Sequence, residues 1–198
     1  MHTSDSLNRR TDKLVDLQLA ANELELRKEL IHALAVESEK QELIHSTQIE
    51  ESELLTRLLE AGFHSENLSA LELVPIAFVA WASGSVTDPE RKVIMSSLED
   101  FGLIVNQASN DRFQGWLEKR PDRELFLLWK DYVTAKLSPV KSEVQHAIGI
   151  RLLKKSIEIA MASGGLLGFG TICDAEQFIL DEISEVFGVQ DFFLNDGH

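Results

Sequence analysis

The chain has 198 residues, of which 33 are acidic and 19 basic, so its formal net charge is −14. This length fits one domain, or one domain with an appendage, and 44% hydrophobic residues suffice for a packed core. The single cysteine, Cys173, excludes an intrachain disulfide framework and a multi-cysteine zinc site. The acidic balance argues against nucleic acid as a partner, because that binding depends on neutralising phosphates.

The sequence predicts no membrane span. Its longest nearly apolar run covers residues 73–82, whereas a transmembrane helix needs about 20 apolar residues. The amino terminus has no apolar segment typical of a secretory signal. We therefore expect a cytoplasmic protein, in which Cys173 is a small core residue rather than a reactive thiol.

Charge is unevenly distributed along the chain. Residues 112–155 carry 10 bases and 5 acids, whereas residues 156–198 carry 8 acids and no base. The basic segment either meets an acidic surface of another molecule or neutralises the protein's own acidic segments. We favour the second interpretation.

The first predicted helix runs from Asn8 to Ser38, and its apolar residues recur at a spacing of seven, which is typical of a seam between helices. The seam residues are Leu7, Leu14, Ala21, Leu17, Leu24 and Ile31. Arg10 and Lys28 interrupt the seam, so it spans barely three heptads, too few for a stable coiled coil by itself.

Two more apolar helices follow. A helical stretch ends near Ala61, where Gly62 fits a C-terminal cap. The apolar face of this stretch consists of Leu54, Leu55, Leu58 and Leu59. Residues 68–81 predict a buried helix, in which Pro75 lies either at a kink or near the first turn.

The remaining helices have recognisable starts. Thr87 as N-cap, Pro89 in the first turn and Glu90 at the capping-box position predict a helix that ends at Phe101-Gly102. Further starts are predicted at Asp122, at Ser138-Pro139 (a helix reaching Ala162) and at Asp174.

Residues 79–103 and 159–189 repeat one unit: an apolar helix, a Ser-Gly loop, an acid-capped helix and a Phe-Gly stop. The aligned blocks are 82–84 with 162–164, Asp88-x-Glu90 with Asp174-x-Glu176, and 101–103 with 187–189. Three blocks in the same order favour a true duplication. Each unit is then an antiparallel helix hairpin with one apolar face, which the other unit covers around a pseudo-twofold axis.

These observations predict an all-α fold. We expect residues 66–198 to form a compact helical bundle built from two pseudo-twofold-related helix-hairpin repeats. Residues 1–65 are expected to form a long amino-terminal helical arm.

Each repeat places an aspartate and a glutamate two residues apart at a helix start, namely Asp88 and Glu90, and Asp174 and Glu176. Acids at this position commonly cap a helix and interact with its dipole, and we favour this interpretation. Alternatively, the four carboxylates converge on one hard cation, calcium, magnesium or manganese.

The two units share an Ala-Ser-Gly sequence followed by a glutamate, Ala82-Ser83-Gly84 with Glu90 and Ala162-Ser163-Gly164 with Glu176. Over residues 66–190 this pattern resembles the tellurite-resistance TerB-like domain family. The family unit commonly has aspartate before the glycine, where this chain has serine. Because a hydroxyl is a poorer ligand for a hard cation than a carboxylate, the resemblance implies the fold with a weakened metal site. It also implies a bacterial stress-response module with protein partners near the inner membrane.

The loop 164–170 of the second unit is rich in glycine and apolar residues but lacks the spacing of a phosphate-binding loop. It either packs onto the core or offers an apolar lip to a partner or a membrane surface. No HExxH or GxSxG motif is present. We expect a non-enzymatic interaction module that binds a protein partner or itself through its amino-terminal helices. The alternative is a divalent-cation-binding module.

Overall fold

The computed structural model describes residues 3–100, 106–164 and 174–189, with side chains described from residue 18 onward in the first helix. These residues form eight α-helices and one 3-10 helix, with no β-strand among them, which confirms the all-α class. The helices are α1 (Thr3–Thr47), α2 (Ser52–Glu60), the 3-10 helix (Leu68–Leu73), α3 (Val74–Ala80), α4 (Asp88–Asp100), α5 (Gln107–Glu118), α6 (Arg123–Leu137), α7 (Ser142–Gly164) and α8 (Asp174–Val186). Within the described ranges, no helix combines the length and apolarity needed to cross a membrane.

Helix α1 continues past the predicted end at Ser38 because side-chain hydrogen bonds close its last turn. The Thr47 hydroxyl donates to the Leu43 carbonyl at 2.7 Å and accepts from the Ile49 amide at 3.1 Å. Gln48 then adopts a positive φ of 62°, which ends the helix.

Helix α5 was not predicted from the sequence. Its start is local, since the Asn106 side chain accepts a hydrogen bond from the Ser109 amide at 2.8 Å. Few of its residues face the core, since Phe113 and Leu117 are its only fully buried apolar residues among those described. Two buried apolar residues in one helix leave a weak periodic pattern.

Helix α7 begins at Ser142, later than the predicted start at Ser138. The Gln145 amide group donates to the Leu137 carbonyl at 2.8 Å and to the Val140 carbonyl at 2.7 Å. These bonds hold the intervening residues in a turn, so the helix starts after it.

Other boundaries agree with the sequence. Asp122 immediately precedes α6, Asp174 begins α8, and Pro75 lies in the first turn of α3. Gly62 has a φ of +76° just after α2, as expected for a C-terminal cap. The predicted stop at Phe101-Gly102 lies outside the described residues.

The main core surrounds Trp129 of α6, which is 1% exposed. Its ring centroid lies 5.0 Å from that of Phe126 and 6.4 Å from that of Phe187. The same core includes Leu43, Leu54, Leu55, Leu58 and Phe63. It therefore joins residues on both sides of position 65.

A second cluster joins α3, α4 and α5. Its buried residues include Ile76, Ala77, Ile94, Leu98, Phe113 and Leu117. At its edge the Trp81 indole donates to the Trp116 carbonyl oxygen at 2.6 Å. The two clusters meet along α3, so this short helix is central to the body of the molecule.

Ion pairs connect the basic helix α6 to the acidic helix α8. Arg123 pairs with Glu182, and Lys130 lies 3.8 Å from Glu185. The basic segment thus neutralises part of the protein's own acidic segment, in agreement with the favoured interpretation.

Helices α7 and α8 pack closely where a glycine leaves room. Gly149 is buried in α7, and a Cβ added to it would lie 2.3 Å from the Cβ of Phe187. Phe187 is 3% exposed. The absence of a side chain at position 149 is therefore a condition for this packing.

Replacing Gly149 by alanine is expected to lower the free energy of unfolding by about 1–3 kcal/mol, because the added methyl overlaps Phe187. Equilibrium urea unfolding measures the change. Gly115→Ala is the matched control, since Gly115 is also helical but has open space around its Cα. Alanine there should leave stability unchanged or raise it by about 0.5–1 kcal/mol. Equal effects of the two substitutions would contradict the close contact.

Candidate functional site

Glu90 of the first acidic pair caps helix α4 together with Thr87. The Thr87 amide donates to Glu90 Oε2 at 2.7 Å, and the Glu90 amide donates to Thr87 Oγ1 at 3.4 Å. This reciprocal bonding is a capping box. It agrees with the capping interpretation for Glu90, whereas Asp88 makes no hydrogen bond to the start of the helix among the described contacts.

The other predicted ligands lie at the surface. The Asp88 side chain is 88% exposed and lies 3.5 Å from Arg91, Asp174 is exposed, and Glu176 is partly buried. Among the described residues, which include all four carboxylates, no three His, Cys, Asp or Glu side chains are grouped closely enough to hold a metal ion. The shared cation site therefore stays a prediction.

If capping is the role of this pair, Thr87→Ala should destabilise the protein by about 0.5–2 kcal/mol. Millimolar calcium or manganese should leave the melting temperature of both proteins unchanged. Differential scanning fluorimetry measures both effects. A cation-dependent rise that disappears in an Asp88→Asn, Asp174→Asn variant would instead support the shared cation site.

A cleft of about 570 Å³ lies between α2, α5 and the start of α6. Its charged lining residues are Arg57, Arg112, Lys119, Arg120, Glu60, Asp122 and Glu124. Four cations and three carboxylates line the cleft together, so it has no single charge that would select one ionic ligand.

The inner cations of this cleft bind the protein itself. Arg112 donates to the Gly62 carbonyl oxygen at 2.9 Å and lies 4.0 Å from the Phe63 ring centroid. Burial lowers its pKa below the ordinary value. Arg57 pairs with Asp131 at 2.7 Å. Both guanidinium groups thus stabilise the end of α2 and its contact with α6.

The most unusual surface of the molecule is the amino-terminal half of α1. Every side chain from Gln18 to Ala35 is exposed, and we call these residues the exposed α1 segment. It presents six large aliphatic side chains, each 56–68% exposed: Leu19, Leu24, Leu26, Leu30, Ile31 and Leu34. Such a concentration of exposed apolar residues is typical of an interaction surface.

The carboxyl-terminal part of α1 anchors this segment to the body. Leu43 is fully buried in the main core. Glu39 lies 3.4 Å from His64 Nδ1, and Glu42 accepts from the Ser65 hydroxyl at 3.2 Å. The side chains of α1 that pack against the body therefore begin near residue 36, and the exposed α1 segment lies on the amino-terminal side of that residue.

The exposed α1 segment has two apolar seams on different faces. Seam one contains Leu24 and Ile31, which belong to the predicted heptad set, and seam two contains Leu19, Leu26 and Leu30, while Leu34 lies between the two seams. At 100° per residue, the two seams lie roughly 130° apart around the helix axis. Sequence reasoning missed seam two, although Leu19 and Leu26 are also seven residues apart.

Three further residues or segments were singled out in the sequence: Ser83, the loop 164–170 and Cys173. Ser83 is exposed, and its hydroxyl donates to the Ser85 carbonyl oxygen at 3.2 Å. Within the loop 164–170 only Gly164, the last residue of α7, is described, and Cys173 lies outside the described residues.

In comparisons with protein-family models, curated proteins and solved structures, nothing matches the chain.

Proposed function

We propose that this protein is a non-enzymatic interaction module that self-associates through the exposed α1 segment. The observation that carries the proposal is the exposure of six large aliphatic side chains within a stretch of one helix, Gln18 to Ala35, in which every side chain is exposed. Isolated helices are marginal in water, and most helical stability in proteins comes from packing. A covering partner supplies that packing.

The energetics favour a partner that covers most of this surface. Fully burying one Leu or Ile side chain contributes about 1.5–3 kcal/mol. Because each is about three fifths exposed, the six together offer roughly 5–11 kcal/mol. Association costs about 4–15 kcal/mol in lost translational and rotational freedom. The gain is of the same order as the cost, so a small contact would not suffice.

Charge balance favours a copy of the same chain as the partner. Residues 1–35 carry six acids and five bases, whereas the remaining residues carry 27 acids and 14 bases. The amino-terminal part is thus nearly neutral, and the repulsive charge belongs to the rest of the chain. Copies can meet along α1 with little electrostatic cost.

The TerB-like likeness and the duplicated hairpin belong to the same proposal. In the proposed duplication α3 corresponds to α7, and α4 corresponds to α8. A pseudo-twofold axis would therefore make the α3–α8 contact equivalent to the α7–α4 contact, and both contacts occur. Against close symmetry, α3 and α4 contact each other little, and half-buried Trp81 corresponds to Met161, which is 47% exposed. The support therefore lies in helix arrangement, and a stress-response role follows only from the likeness.

The test is the hydrodynamic size of the full chain and of a variant carrying Leu24→Gln, Leu26→Gln, Leu30→Gln and Ile31→Gln. Glutamine keeps helix propensity and removes the apolar surface. We expect the full chain to self-associate with rising concentration and the variant to be monomeric in sedimentation velocity.

The matched control replaces Gln18, Asn22 and His32 by alanine on the polar face of the same segment. It should associate like the unmodified chain. A full chain that stays monomeric at every concentration would overturn the proposal.

A further inference from the structure

We infer that each exposed α1 segment is flanked on both sides by the same segment of two other copies, so that the assembly contains more than two chains. This inference rests on the proposed self-association. The interaction surface consists of seam one and seam two, and the partner is a further copy of this chain at each.

The width of the apolar arc favours two neighbours. A two-stranded coiled coil uses one narrow apolar seam, whereas a helix that packs against several neighbours presents a wider apolar stripe of about 100° or more. Seam one and seam two are roughly 130° apart, and with Leu34 between them they form an apolar arc about 160° wide, wider than the a/d seam that one neighbouring helix covers fully. Both seams are equally open, since Leu24 is 56% exposed and Leu26 is 64% exposed.

The energetics point in the same direction. If a single neighbour covers one seam, it gains roughly half of the free energy available from burying these side chains. That half lies at the lower end of the free-energy cost of association. A pair of chains joined at one seam would also leave the other seam in water. A second neighbour removes that exposure and adds its own burial.

The strips between the seams fit this arrangement. The strip on the far side carries Gln18, Asn22, Glu25, Glu29 and His32, all exposed and polar. The strip between the seams on the near side carries Leu34 together with Glu23 and Arg27, which are opposite in charge and four residues apart. Neither strip repels a copy strongly, and the polar strip can stay in water while both seams are covered.

The experiment measures the mass of the full chain by sedimentation equilibrium, together with two matched variants. The seam-one variant carries Leu24→Gln and Ile31→Gln, and the seam-two variant carries Leu19→Gln and Leu26→Gln. We expect the unmodified chain to exceed twice its 22.2 kDa monomer mass. Each variant should lose every species larger than a dimer.

The outcomes separate the two proposals. A dimer that only one of the variants dissociates would overturn this inference and leave the proposed self-association standing. A monomer at every concentration would overturn both. Because these four residues lie outside both core clusters, the urea midpoint of the body should be unchanged in both variants, which checks that neither is simply unfolded.

Discussion

The body of the molecule depends on the contact between Phe187 and the bare backbone of Gly149. Phe187 lies just after α8 and packs against Trp129, a buried aromatic residue of the main core. By filling the space that a side chain at position 149 would take, it holds α8 against α6 and α7 together. That placement brings Glu182 and Glu185 to the basic residues of α6, so packing and charge neutralisation depend on the same contact.

Much of the fold could be predicted because its signals are local. The Thr87–Glu90 capping box acts within one helical turn, and the aspartates before α6 and at the start of α8 mark helix starts in the sequence, so short patterns indicate all three. The differences arise where distant or subtle contacts decide. The start of α7 is set by Gln145, whose side chain bonds two carbonyls of the preceding turn, and no periodic pattern contains that information.

The candidate surface could be predicted only in part. The spacing of Leu24 and Ile31 indicates residues that share a face, and the structure places both on one face of α1. Whether another part of the chain covers that face depends on where the helix leaves the body, which periodicity does not encode. For the same reason the acidic pairs looked able to share a cation, whereas in the first unit Glu90 is already bonded to Thr87.

Helix α1 contains no glycine or proline from Thr3 to Thr47, so it has no residue at which a sharp bend is expected. A change in how its last three turns pack around Leu43 is therefore expected to be passed along the helix. The part of α1 from Thr3 to residue 36 is about 50 Å long at 1.5 Å per residue. A tilt of roughly 5° in the packing around Leu43 would move the amino-terminal end of the helix by about 4 Å. A small rearrangement of the core would thus become a larger displacement at that end.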